Sequence, residues 1–159
     1  MVKSVRFISS AILLVLSLSS GGLVAADKIP MARDLALEAR GAEGSGKVYL
    51  LYVSRPQCPY CKRLEKNVLS PMRVSKAYVD SVDLYELSYE GAEIVDFDQE
   101  TRSSIEIVRQ FGIIGTPTLL FLDGSGTEIA ERIVGYHSED FYWYYFEQSI
   151  ETALLAINP

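Results

Sequence analysis

The chain of 159 residues holds two cysteines, three apart, in Cys58-Pro59-Tyr60-Cys61. Two thiols at that spacing are suited to thiol–disulfide exchange. One thiolate attacks a disulfide, and the second thiol then displaces the product from the mixed disulfide. Such chemistry needs an exposed nucleophile and a resolving partner within reach. A C-x-x-C motif opening a helix supplies both. The unpaired N–H groups and partial positive charge of the helix N-terminus favour a Cys58 thiolate. Cys61 lies one turn along the same face. Pro59 suits the first turn, where its missing N–H has no partner to lose. Lys62 and Arg63 follow and Arg55 precedes, and their charge favours the thiolate further.

Other uses of the pair are weaker. As a structural bridge it would close a minimal loop, contributing only about 2 kcal/mol by chain entropy. A structural zinc site needs four ligands, whereas the chain offers two cysteines and the single histidine His137. Covalent haem attachment needs a histidine directly after the second cysteine, and residue 62 is lysine. Two thiolates suffice for Cu(I), so a Cu(I)-binding chaperone stays open as the non-enzymatic alternative. Nothing in the sequence calls for a metal or an organic cofactor. His137 reads as a surface loop histidine and Met72 as packing.

The elements that position the motif begin after a separate N-terminal segment. Lys3 and Arg6, the apolar run Phe7–Leu18 and the small residues Val24 and Ala26 have the make-up of a secretory signal peptide. The expected organisation is therefore a leader over residues 1–26 and a single domain over 27–159, exported to the periplasm. Without the leader, thirteen cations face twenty-one acids, a net charge of −8. That balance excludes nucleic acid as a partner, since phosphate binding rewards clustered Lys and Arg.

Within the domain, spacing predicts a helix over Lys28–Arg40, then a strand over the continuous apolar run Val48–Val53, buried on both faces. A helix starts at Cys58, and Ser70-Pro71 interrupts or kinks it. A second strand covers Val82–Leu87, residues 88–100 form an acidic polar connection, and Thr101–Phe111 is helical up to Gly112. Thr118–Leu122 and Thr127–Val134 flank Asp123-Gly-Ser-Gly126, a hairpin signal. Ser138 caps the last helix, with Glu139 and Asp140 complementing its dipole. The order α-β-α-β-α-β-β-α implies a mixed sheet with helices on both faces. In Phe141-Tyr-Trp-Tyr-Tyr-Phe146, Trp143, Phe146, Ile150, Leu154 and Ile157 form the inward stripe. Tyr142, Tyr144 and Tyr145 are left wholly or partly exposed, as packing under loops or as a partner surface.

A strand, Cys58-Pro-Tyr-Cys61, a helix, and later Gly115-Thr116-Pro117-Thr118 before another strand resemble the thioredoxin superfamily, across residues 30–157. The likeness is strongest to periplasmic thioredoxin-like proteins, including the type associated with bacterial sulfur oxidation. It implies an α/β fold with a mixed four-stranded central sheet flanked by helices, preceded here by an extra N-terminal helix. It also implies that Pro117 is cis and faces the dithiol, and that Thr116, with Pro59 and Tyr60, docks the substrate chain. The partners implied are disulfide-containing periplasmic proteins and an upstream membrane thiol–disulfide carrier as electron donor, with the chain itself a monomer.

Three departures from the family pattern bear on mechanism. The Pro-Tyr dipeptide is that of glutaredoxins, yet the Gly-Gly glutathione contact of that family has no clear match. Tyr52 stands where thioredoxins carry a buried strand acid, which leaves Glu65 as the nearest acid in sequence for proton transfer at Cys61. Thr before the proline resembles disulfide isomerases and reductases more than oxidases, which favours a reductase over a dithiol oxidase.

Overall fold

The computed structural model describes residues 28–159; the expected leader lies outside them. The strand order is β2-β1-β5-β6 in one four-stranded sheet. β1 (Val48–Ser54) pairs parallel with β2 (Val82–Ser88) and antiparallel with β5 (Thr118–Leu122), and β5 pairs antiparallel with β6 (Ile133–Val134). All seven residues of β1 are buried. That explains its unbroken apolar composition: a central strand has no solvated face on which to alternate.

Alternate residues of β1 feed two cores. Val48, Leu50 and Tyr52 join Leu119, Phe121, Cys61, Leu64, Leu69 and Phe146 on one face. Tyr49, Leu51 and Val53 join Leu35, Ala39, Leu87, Ile107, Leu120 and Leu122 on the other. The first core is covered by α2 (Pro59–Leu64), α3 (Ser70–Val74) and the C-terminal α6 (Glu139–Ile157). The second is covered by α1 (Leu35–Gly44) and α5 (Ser104–Gln110). The mixed sheet with helices on both faces and an additional N-terminal helix is the architecture expected from the element order.

Several boundaries differ from expectation, each for a local reason. α1 begins at Leu35 because Asp34 caps it, Oδ1 accepting the Leu37 N–H at 2.8 Å. The residues before it run extended along the edge of β2, with Ala32 N–H donating to Glu86 O and Glu86 N–H to Pro30 O, both at 2.8 Å. Pro71 does not end the helix after the cysteines. A π turn over Glu65–Leu69 joins α2 to α3, and Leu64, Leu69 and Ser70 all keep right-handed helical backbone. The wider turn lets Ser70 N–H reach Glu65 O just ahead of a residue with no N–H to donate.

The short helix α4 (Lys76–Val79) follows α3. Residues 88–100 are not a bare connection: β3 (Glu93–Val95) and β4 (Thr101–Ser103) form a small antiparallel hairpin, with Ile94 buried. Ser103 then caps α5 in a capping box with Glu106, so the helix starts three residues after Thr101. The Asp123–Gly126 turn forms, Asp123 Oδ1 accepting the N–H groups of Ser125 and Thr127. The returning strand is regular only at Ile133–Val134. Ser138 is the N-cap residue of α6, although its side chain makes no capping bond.

The aromatic run divides differently from the expected stripe. Phe146 and Ile150 are buried as expected, and Trp143, Leu154 and Ile157 are partly so. Tyr142, expected at the surface, is buried against Tyr136 with ring centroids 5.3 Å apart. The seam runs Tyr142, Phe146, Ser149, Ile150 and Ala153, the i, i+4, i+7, i+8, i+11 spacing of a helix face. Phe141, Tyr144 and Tyr145 remain exposed. Met72 is buried in the core, and His137 is exposed. Among the described residues no helix is long and apolar enough to cross a membrane.

Phe146 touches Trp143, Phe121 and Tyr78 by ring contacts and is fully buried. Phe146→Ala is expected to cost about 3–5 kcal/mol in urea unfolding, whereas Leu155→Ala, at the exposed back of the same helix, changes stability by less than about 0.5 kcal/mol.

Candidate active site: the Cys58–Cys61 dithiol

β1 ends at Ser54, and the chain turns through Arg55, Pro56 and Gln57 before entering α2. Gln57 has a φ of 59°, a left-handed conformation that a side-chain-bearing residue adopts only when its surroundings impose it. The turn leaves Cys58 as the N-cap of α2 and Pro59 in the first helical turn. The Cys58 sulfur serves as the cap itself: the Cys61 N–H donates to Sγ at 3.1 Å. The two cysteines are joined as a disulfide with Cα atoms 5.2 Å apart. Cys58 is half-buried while Cys61 is 2 % exposed. The pair is therefore asymmetric, with one sulfur facing solvent and the other facing the core.

The loop before β5 completes the outer side. The Thr116–Pro117 peptide bond is cis. Thr116 Oγ1 lies 3.7 Å from Cys58 Sγ, and Thr116 O lies 3.8 Å from it. Thr118 Oγ1 donates to Gly115 O at 2.8 Å, and Gly135 N–H donates to Pro117 O at 2.7 Å, tying the loop to β5 and to the chain after β6. Tyr60, Ile114 and Val134 are exposed. The sequence candidates Cys58, Cys61, Pro59, Thr116 and Pro117 thus meet at one end of the sheet. Arg55 is held over the Tyr89 ring at 4.3 Å and Arg63 over Tyr60 at 5.6 Å.

Beside the disulfide lies an open cleft of about 300 Å³ whose lining includes Cys58, Cys61, Lys62, Glu65 and Arg55. Glu65 is fixed by the Tyr52 hydroxyl, which donates to Oε1 at 2.8 Å. Burial and that bond push the Tyr52 phenol far above its ordinary range, so it stays protonated. The cleft is also lined by Glu86, an acid that the linear motif does not reveal. Glu86 sits on β2 directly beside Tyr52 in the parallel register, and its Oε1 accepts the Ser54 hydroxyl. Burial raises the Glu86 pKa and the Glu65 charge adds to the rise, while the Ser54 bond opposes them.

With this geometry in view, comparison with known proteins assigns the family. The thioredoxin-like domain family matches residues 35–150. The chain belongs to that family. The thiol:disulfide interchange protein DsbD of Yersinia enterocolitica is 29 % identical over 101 residues, covering 63 % of this chain and 16 % of the relative. The chain therefore spans about a sixth of the length of the curated relatives it matches. Among solved structures, the DsbH oxidoreductase matches with a TM-score of 0.55 at 15 % identity, covering 90 % of this chain and 95 % of that one. The periplasmic thioredoxin SoxS of Paracoccus pantotrophus matches with a TM-score of 0.49 at 20 % identity, covering 67 % and 99 %. At such identities a structural likeness establishes the fold alone.

The raised Glu86 pKa has a consequence for stability. Below the unfolded-state value of about 4.3 the carboxyl is protonated in both states. As pH rises through the raised folded value, the unfolded chain releases its proton more readily, so the folded state loses stability. Glu86→Gln removes that loss. The variant is expected to be more stable than the parent at pH 7, and the difference should vanish by pH 4 in urea unfolding followed by circular dichroism.

Proposed function

We propose that this chain is an exported thiol–disulfide oxidoreductase that reduces disulfides of periplasmic proteins through Cys58 and Cys61. The observation that carries the reading is the asymmetry of the pair. Cys58 caps a helix at the surface while Cys61 lies buried one turn behind it. Exchange requires this division, because the attacking sulfur must meet a substrate and the resolving sulfur must not compete with it. The relatives named thiol:disulfide interchange proteins support the same chemistry. The leader-like residues 1–26 support export.

In the reductive direction, the Cys58 thiolate attacks a substrate disulfide, forming Cys58–S–S–R and expelling one substrate thiolate. The substrate main chain docks beside the Thr116–Pro117 bond, with Pro59, Tyr60, Ile114 and Val134 as the surrounding surface. Cys61 gives up its proton and attacks Cys58 Sγ, forming the Cys58–Cys61 disulfide and releasing the second substrate thiolate. A membrane thiol–disulfide carrier returns two electrons to the pair. Glu65, the acid nearest to Cys61 in sequence, borders the same cleft as Cys61.

Cys61→Ser is expected to accumulate mixed disulfides with periplasmic proteins, resolved by diagonal electrophoresis. Cys58→Ser is expected to abolish insulin reduction. Recovery of no mixed disulfides from the Cys61→Ser chain would reject the reading. A reduction potential nearer to about −270 mV than to about −120 mV is expected for a reductase, and a value at the oxidising end would reverse the direction.

A further inference from the structure

The burial of Cys61 poses a problem that the exchange cycle must solve. Cys61 is 2 % exposed and packs among Tyr52, Leu64 and Val68. A buried thiol keeps its proton, yet it must become a thiolate at the moment it attacks Cys58. Cys61 borders the cleft beside the disulfide, and the carboxylates that line the same cleft are Glu65 and Glu86.

Each already accepts one hydroxyl at Oε1, and the two differ in the element that carries them. Glu65 comes from the helix of the cysteines, and its Oε1 is engaged by the Tyr52 hydroxyl, which holds its own proton tightly. Glu86 comes from β2. Its main-chain N–H and C=O are both paired with the extended segment at Pro30 and Ala32, which pins the strand edge. Its Oε1 accepts from Ser54, at the end of β1. In the parallel register Glu86 and Tyr52 are neighbours on the face that carries Cys61. Ser54 and Tyr52 stand beside Glu86 on β1, and the charged or titratable groups that share its cleft are Cys61, Lys62 and Glu65 from the helix and Arg55 and Cys58 from the turn before it.

We propose that Glu86 is the proton acceptor for Cys61, with Glu65 as its neighbour on the same cleft. In the resolving step the Cys61 S–H proton passes to the Glu86 carboxylate and the Cys61 sulfur bonds to Cys58 Sγ. The electron pair of the broken Cys58–S–S–R bond leaves on the R thiolate. In the reverse step Glu86 returns the proton to Cys61 as a donor thiolate opens the disulfide. Burial raises the affinity of Glu86 for protons, the direction that makes a carboxylate a stronger base. Glu86 thereby does from the adjacent strand what the Tyr52 position, bearing a phenol that stays protonated, does not do.

The assignment rests on the exchange reading above, and one experiment separates the two. The reduced full chain is mixed with an aromatic disulfide that releases a coloured thiolate. The first release reports attack by Cys58, and the second reports displacement by Cys61. At a pH of about 6.5, below the ordinary thiol value of about 8.5, Glu86→Gln is expected to slow the second phase about a hundredfold, the lower range for a positioned general base. The first phase should keep its rate, and the defect should shrink as pH rises toward 9. Glu86→Asp is expected to recover part of the rate, and Glu65→Gln to slow the second phase less than Glu86→Gln does. A second phase unaltered by Glu86→Gln, both phases slowed alike, or a larger defect in Glu65→Gln would overturn the assignment. Absence of the first phase in the unsubstituted chain would instead reject the exchange reading, and the assignment with it.

Discussion

A sulfur atom placed at the first position of a helix has two duties here, and much of the molecule is arranged around their combination. Cys58 Sγ accepts the Cys61 N–H that the first turn would otherwise leave unpaired. In the exchange proposed above, the atom that caps the helix is also the one that attacks a substrate. An acceptor aligned with helix N–H groups is stabilised as an anion, so the local rule that starts the helix also prepares the nucleophile. The left-handed Gln57, the buried strand that ends at Ser54 and the Thr116–Pro117 loop tied to β5 fix where that sulfur points.

The cost of such a site falls on the second sulfur. Three residues along a helix that packs on the sheet, Cys61 enters the core beside Tyr52 and Leu64. In the proposed exchange, burial keeps it from solvent and from competing substrates. Polar groups are nonetheless admitted at the end of an otherwise apolar face: Ser54, Glu65, Glu86 and Ser88 around the cleft. Buried polar groups are retained where they are hydrogen-bonded. Here Tyr52 binds Glu65 and Ser54 binds Glu86. The result is a small, largely polar cleft bordered by both cysteines.

How much of this could be read from the chain depends on the range of the interaction. The buried strand, the C-x-x-C at a helix start and the Thr-Pro before a strand are local patterns, and they named the sheet, the helices and the outer half of the site. Features set by register or by distant packing were not legible. Glu86 shares a cleft with Cys61 because β1 and β2 pair in parallel with Tyr52 opposite it, a pairing between residues 34 apart. Nothing in the sequence around Glu86 marks it. The hairpin of β3 and β4 has strands of three residues each, too short for alternation to register. Tyr142 looked exposed because six aromatics in a row encircle a helix, and only the position of Tyr136 decides which of them turns inward. The capping box at Ser103 and Glu106 was a legible signal, and it places the start of α5 better than the apolar spacing did.

The central claim is that the two cysteines of one motif are chemically unlike because one caps a helix at the surface and the other is buried. Alkylation of the reduced chain by iodoacetamide, with each site quantified by peptide mass spectrometry, tests it most directly. At a pH of about 6.5, modification of Cys58 is predicted to exceed that of Cys61 at least about tenfold, because the thiolate is the reactive form and Cys61 is enclosed. Equal rates at the two sites, or faster modification of Cys61, would contradict the account.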